Sequence, residues 1–149
     1  CKSCSFWADN FNGIPVHLRA RDITFAAISH APLAALESYE KRMGWSFKWL
    51  SSYGTDFNRD FGVTFIEDEV EGGRANYNYA LRGFPDTEAP GVSVFFRDGD
   101  GAVYHTYSSY GRGIDILNGA YNYIDLTPKG RDEGERSQSW VRRHDEYGV

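Results

Sequence analysis

The sequence predicts an α/β domain built on a mixed central sheet, and three observations carry that expectation. A helix-period stripe opens at Cys1-x-x-Cys4, two apolar runs flank a helical pattern over residues 23–52, and two β-rich runs flank the turn Asp98-Gly-Asp-Gly101. With 149 residues, of which 41% are hydrophobic and 16% aromatic, the chain suits one compact domain whose core is built from large flat side chains.

The elements follow in order. Cys4, Trp7, Ala8 and Phe11 fall at i, i+3, i+4 and i+7, so a short helix begins at the cysteines; Gly13 ends it and Pro15 blocks its simple continuation. Residues 23–28 are nearly continuously apolar and read as a strand covered on both faces. Pro32 then stands as the first residue of a helix marked by Leu33, Leu36, Tyr39 or Glu40, and Met43, with Glu37 and Lys41 paired at i, i+4 and Gly44 as its cap. Residues 47–52 read as a second strand, and strand–helix–strand with short links implies a parallel pair in a right-handed βαβ unit. Residues 53–61 form a polar and aromatic loop, and the acidic stretch 67–73 lies on the surface. Residues 92–97 and 102–108 form a hairpin that gives the sheet an antiparallel edge. Residues 114–125 make a final helix despite Gly119, stopped by Pro128, and 129–149 form a charged, solvated tail. No internal repeat is present.

This order is that of a thioredoxin-like three-layer sandwich with a mixed central sheet, lacking its first strand. The chain opens on Cys inside a motif instead of on Met, so residues 1–149 read as a single domain truncated at its N-terminus. The absent strand would be central, and an unpaired edge invites pairing with another chain. A homo-oligomer covering that edge, or a longer polypeptide, is therefore expected.

Composition excludes several classes of partner. A net charge of −5 opposes binding to a phosphate backbone, and the basic pair Arg142 and Arg143 is diluted by Asp145 and Glu146. No apolar run reaches the ~18 residues needed to cross a bilayer. Two cysteines three apart are too few for the disulfide framework of a small secreted domain, so a reducing, cytoplasmic setting is expected.

The cysteines carry the chemistry. Only a thiolate attacks a disulfide, and unpaired N–H groups at a helix start stabilise one. Cys1 is thus the expected nucleophile and Cys4, three residues along the same turn, the resolving thiol. Zinc would need two further ligands, yet His17, His30, His105 and His144 are scattered, so neither a metal nor another cofactor is expected. Two inert cysteines remain the alternative.

CKSCSFWADNFNG at residues 1–13, SHAPL at 29–33, RMGW at 42–45, SSYGTDFN at 51–58 and HTYSSYGRG at 105–113 closely resemble the bacterial thioredoxin-like family catalogued as domain of unknown function 899, up to LTPKGR at 126–131. The resemblance implies a thioredoxin-like fold and a dithiol–disulfide oxidoreductase acting on disulfide- or thiol-containing proteins or small molecules. Thioredoxin-like sites place a cis-proline opposite the dithiol; Pro90 is the candidate, with an ordinary trans loop proline as the other reading. His105 is a candidate proton donor or a hydrogen-bonded structural imidazole. Trp7 is expected to pack the helix onto the sheet. Asp9 is a candidate proton relay for Cys4 or a solvated or capping residue, and Arg112 a candidate for binding an anionic substrate or stabilising a thiolate, or an ordinary exposed arginine. Two further functions stand beside the redox reading: a thiol peroxidase passing through a sulfenic acid, without the Thr-x-x-Cys setting expected of that class, and a non-catalytic binding module presenting aromatic loops.

Overall fold

The computed structural model describes residues 1–148 and divides the chain into two compact units, Cys1–Gly54 with Ile116–Val149, and Thr55–Asp115. Each is described by itself.

The first unit opens with helix α1 (Lys2–Ala8), whose N-cap is Cys1, followed by α2 (Ile14–Arg19). Gly13, at φ +84°, turns the chain between them. Pro15 sits in the first turn of α2, where its missing N–H would have had no partner, so it starts a second helix instead of only blocking the first. Strand β1 (Ala27–Ser29), helix α3 (Leu33–Met43) and strand β2 (Trp49–Ser51) come next, and the strands pair in parallel from Ala27 opposite Trp49 to Ser29 opposite Ser51. The βαβ succession is as the sequence predicts, with Pro32 capping α3 from outside instead of entering it.

The strands are shorter than expected and begin later. The apolar run at 23–28 supplies only its last two residues to β1, because Phe25 is spent packing into the core and Ile23 stays 51% exposed. Nor is the sheet covered on both faces: Ile28 and Leu50 are each 40% exposed, and the alternation of side chains across a strand puts both on the face away from the core. On the covered face Ala8, Met43, Trp45 and Phe47 are buried, and the Trp45 ring lies 5.5 Å from Tyr39, 5.4 Å from Phe47 and 5.2 Å from Trp49.

Gly44 closes α3 in the left-handed region at φ +63°, where a Cβ would meet nothing within 4 Å. The cost of a side chain there is conformational and not steric. Gly44→Ala is expected to lower stability by about 1 kcal/mol without disturbing the core, measured as a shift in the denaturant midpoint with an unchanged slope.

A second core of the same unit joins the chain's two ends. Phe6, Tyr121 and Val141 are buried together, with Trp7, Ile124 and Trp140 around them. Tyr121 belongs to the helix Gly119–Asp125 near the C-terminus, where the Asn118 side chain accepts the Tyr121 N–H at 3.3 Å and so caps it. The predicted helix over 114–125 is therefore broken at Asn118, and Gly111–Leu117 before it winds as a 3-10 segment. Residues 129–148 are not a solvated tail. Val141 is wholly buried, the Arg131 guanidinium lies 3.8 Å over the Tyr121 ring, and Arg131 also pairs with Asp125.

In the second unit, short helices at Phe57–Asp60 and Glu67–Glu71 occupy the expected loop and the acidic stretch, joined by an Arg59–Glu69 ion pair at 3.1 Å. Strands β3 (Ala75–Tyr77) and β4 (Ala80–Arg82) form a tight hairpin the sequence did not announce, since its turn residues Asn78 and Tyr79, both at positive φ, lack the Asn-Gly signal. Strands β5 (Gly91–Arg97) and β6 (Val103–Tyr110) form the predicted hairpin, with one irregularity between Val94 and Phe95. Asp98 Oδ1 accepts the Asp100 and Ala102 N–H groups at 3.0 and 2.9 Å, which tightens its turn. Phe65, Ala75, Tyr77 and Tyr110 form this unit's core, and burial pushes the Tyr77 hydroxyl above its ordinary value of 10.

The expectation of one mixed central sheet is thus corrected. Among the described residues the named strands form three two-stranded sheets, β1–β2, β3–β4 and β5–β6, beside an isolated antiparallel bridge between Thr64 and Glu88.

Candidate functional site

Cys1 and Cys4 are joined in a disulfide across the first turn of α1, with their Cα atoms 5.3 Å apart. The helix makes this closure local: the N-cap residue and the third helical residue lie on the same side of one turn. The Cys4 N–H donates to Cys1 Sγ at 3.2 Å, so the one sulfur that meets a free helical N–H is that of Cys1. Both cysteines are exposed.

Immediately beneath them Ser5 is buried, and its hydroxyl donates to the Cys1 carbonyl at 3.0 Å. Tyr39 Oη lies 2.8 Å from the same Ser5 Oγ, and Arg143 Nε donates to Tyr39 Oη at 2.7 Å. Sequence reading missed all three. Ser5 stands at i+4 from Cys1, a spacing that places it on the cysteine's side of the helix, but nothing local pointed to Tyr39 or Arg143.

The other sequence-predicted residues separate into two groups. Trp7 and Asp9 lie on α1 or at its end. Trp7 packs edge-on to Tyr121 at 5.5 Å, so it holds the helix against the C-terminal segment and not against the sheet; Ala8 and Phe11 do that instead. Asp9 is the C-cap of α1, five residues beyond Cys4 and so roughly 7 Å farther along the helix axis. Its Oδ1 accepts Trp45 Nε1 at 2.8 Å and meets His144 Nδ1 at 2.8 Å, which commits it as an anchor for both and leaves it badly placed to relay a proton to Cys4.

Pro90, His105 and Arg112 belong to the second unit. The Pro90 peptide is trans, as are all those described, and its carbonyl accepts the Tyr77 hydroxyl at 2.7 Å. Of the two readings of Pro90, the ordinary trans loop proline is the one found. His105 Nε2 lies 2.7 Å from Ser108 Oγ, with its ring 5.4 Å from both Phe61 and Phe95, the hydrogen-bonded structural setting. Arg112 pairs with Asp115 at 2.9 Å. Among the described residues no cluster of three or more His, Cys, Asp or Glu side chains is placed to hold a metal ion, and no helix is long and apolar enough to cross a membrane.

The charges nearest this helix are organised by the C-terminal segment. Arg42 donates to Asp145 at 2.8 Å and to Glu146 at 3.1 Å, and Arg143 to Glu146 at 2.7 Å. Arg42 holds the Asp145 carboxyl below its ordinary 3.8, and Arg143 and then Arg42 hold Glu146 below 4.5. A carboxylate depressed in the folded state contributes stability that is full above its ordinary value and is lost as pH falls through the depressed one. The melting temperature is therefore expected to fall more steeply below about pH 4.5 in the wild type than in Arg42→Ala, with the two curves parallel near neutrality; these exposed pairs make the difference small.

A chain with a mixed α/β fold, small sheets and an exposed Cys-x-x-Cys disulfide on the first turn of a helix that packs between two aromatic clusters defines the class. A family profile described as a bacterial protein of unknown function, DUF899, matches residues 1–147, and the chain belongs to that family. Neither the curated proteins nor the solved structures contain a match to it.

Proposed function

We propose that this chain is a dithiol–disulfide oxidoreductase of thioredoxin-like type, with Cys1 as nucleophile and Cys4 as resolving thiol. The observation that supports it most is the Cys4 N–H directed at Cys1 Sγ beside a disulfide that both residues present to solvent. Exposure does not distinguish the two sulfurs; the hydrogen bond does, because a thiolate accepts it more strongly than a thiol. The order of a Cys-x-x-Cys helix, a parallel βαβ pair, an antiparallel hairpin and a closing helix supports the thioredoxin-like reading of the fold.

In the reduced protein, Cys1 thiolate attacks one sulfur of a substrate disulfide, forming a Cys1–substrate mixed disulfide and expelling the other substrate sulfur as thiolate. Cys4, losing its proton to solvent, then attacks Cys1 Sγ, closes the Cys1–Cys4 disulfide and releases the second substrate thiolate. Two electrons pass to the substrate, and an external thiol reductant returns them. The substrates are disulfides of proteins or small thiols, in a reducing cytoplasm.

Titration of the chain against glutathione redox buffers, followed by thiol count, tests this. A reversible two-electron transition is expected. Two thiols that never pair at any buffer ratio would sink the proposal and leave a binding scaffold, and rapid stoichiometric consumption of hydrogen peroxide would replace it with thiol peroxidase chemistry.

A further inference from the structure

We propose that Tyr39 and Arg143 are positioning residues for Cys1, acting through Ser5 along a directed hydrogen-bond chain; this rests on the redox reading above. The direction of the chain follows from counting protons. Ser5 has one hydroxyl hydrogen, and it is donated to the Cys1 carbonyl at 3.0 Å. The 2.8 Å contact with Tyr39 is then one in which Tyr39 donates and Ser5 accepts. Tyr39, its own hydrogen used, accepts from the Arg143 Nε–H at 2.7 Å. Every link has one donor and one acceptor, and the chain runs from a guanidinium to the backbone of the nucleophile.

Its two ends are held independently. The Cys1 carbonyl also accepts the Ser5 N–H at 3.1 Å, the first helical bond of α1, so both contacts fix the residue whose Sγ faces the Cys4 N–H. At the other end Arg143 is braced by Glu146, which with Tyr39 holds it protonated. Bonds in series polarise one another when the interior link is dry, and Ser5 is only 2% exposed. The chain therefore keeps Cys1 in the N-cap geometry that stabilises its thiolate.

Tyr39→Phe removes the middle link and keeps the ring between Trp45 and Trp49. Two quantities are read: the rate at which iodoacetamide alkylates Cys1 relative to Cys4 in the reduced protein at pH 7, and the equilibrium of the Cys1–Cys4 pair with glutathione. A less stabilised thiolate makes the reduced form less favourable, so the variant is expected to alkylate Cys1 about three- to tenfold more slowly and to shift toward the disulfide by a similar factor. Arg143→Gln, at the half-exposed end of the chain, should move both in the same direction by less, and serves where Tyr39→Phe does not fold. A variant that melts earlier while both quantities stay at wild-type values would show a merely structural contact and overturn the inference. If the wild-type pair does not exchange with glutathione at all, the proposed function falls, while the Cys1 alkylation ratio still decides the chain.

Discussion

Cys1→Ser is expected to lower disulfide reductase activity to the background rate, and Cys4→Ser to lower turnover equally but for a different reason. A serine hydroxyl is not ionised near neutral pH and does not attack sulfur, so without Cys1 no mixed disulfide forms. Without Cys4 the first step proceeds and the second cannot. Incubated with oxidised glutathione, Cys4→Ser should accumulate a one-to-one glutathione adduct on Cys1, visible by intact mass, whereas Cys1→Ser should stay unmodified. The assignment rests on the single N–H to Sγ contact, since both cysteines are exposed. An adduct on Cys4 in Cys1→Ser, with none in the other variant, would reverse the roles; full activity in both would leave the cysteines without a function.

Tyr121→Ala is expected to be the most destabilising single change in the first unit, at about 3–5 kcal/mol, the range for truncating a large aromatic ring in a core. Tyr121 is wholly buried, its ring lies 5.0 Å from Phe6 and 5.5 Å from Trp7, and its hydroxyl donates to Glu133 at 2.7 Å. The substitution empties the space between α1 and the C-terminal segment and leaves the Arg131 guanidinium without its ring. A fall in melting temperature of roughly 10 °C by calorimetry corresponds to that loss for a chain of this size. Because Phe6 and Trp7 hold the C-terminal segment through Tyr121, trypsin should cut that segment sooner in the variant. A loss below about 1 kcal/mol would mean that the terminal segment does not hold α1.

The first helix shows where legibility stopped. Its stripe of Cys4, Trp7, Ala8 and Phe11 was visible as one buried face, yet the structure divides those residues between two clusters, Trp7 toward Tyr121 and Ala8 with Phe11 toward Phe47. Periodicity reports that a side chain is apolar and on a given side of a helix; it carries no information on what arrives to cover it. The terminal segment misled for the same reason. Its charges suggested solvent, but Val141 and Trp140 pack against Phe6 and Tyr121, while Arg142, Arg143, Asp145 and Glu146 stay nearer the surface.

Features whose partners lie within a few residues were determined by the sequence itself. The Cys1–Cys4 closure, the helix from Leu33 to Met43 with its Gly44 cap, and the Asp98–Gly101 turn all depend on backbone geometry over one or two turns, and each is found where it was expected. Tertiary structure alone decided which strands join, and what surrounds the cysteines. Ser5 meets Tyr39 across 34 positions, Asp9 meets Trp45 across 36, Tyr39 meets Arg143 across 104 and Asp9 meets His144 across 135. Contacts of that separation are chosen by how whole elements pack, a choice made by the summed burial of many side chains and written in no local pattern.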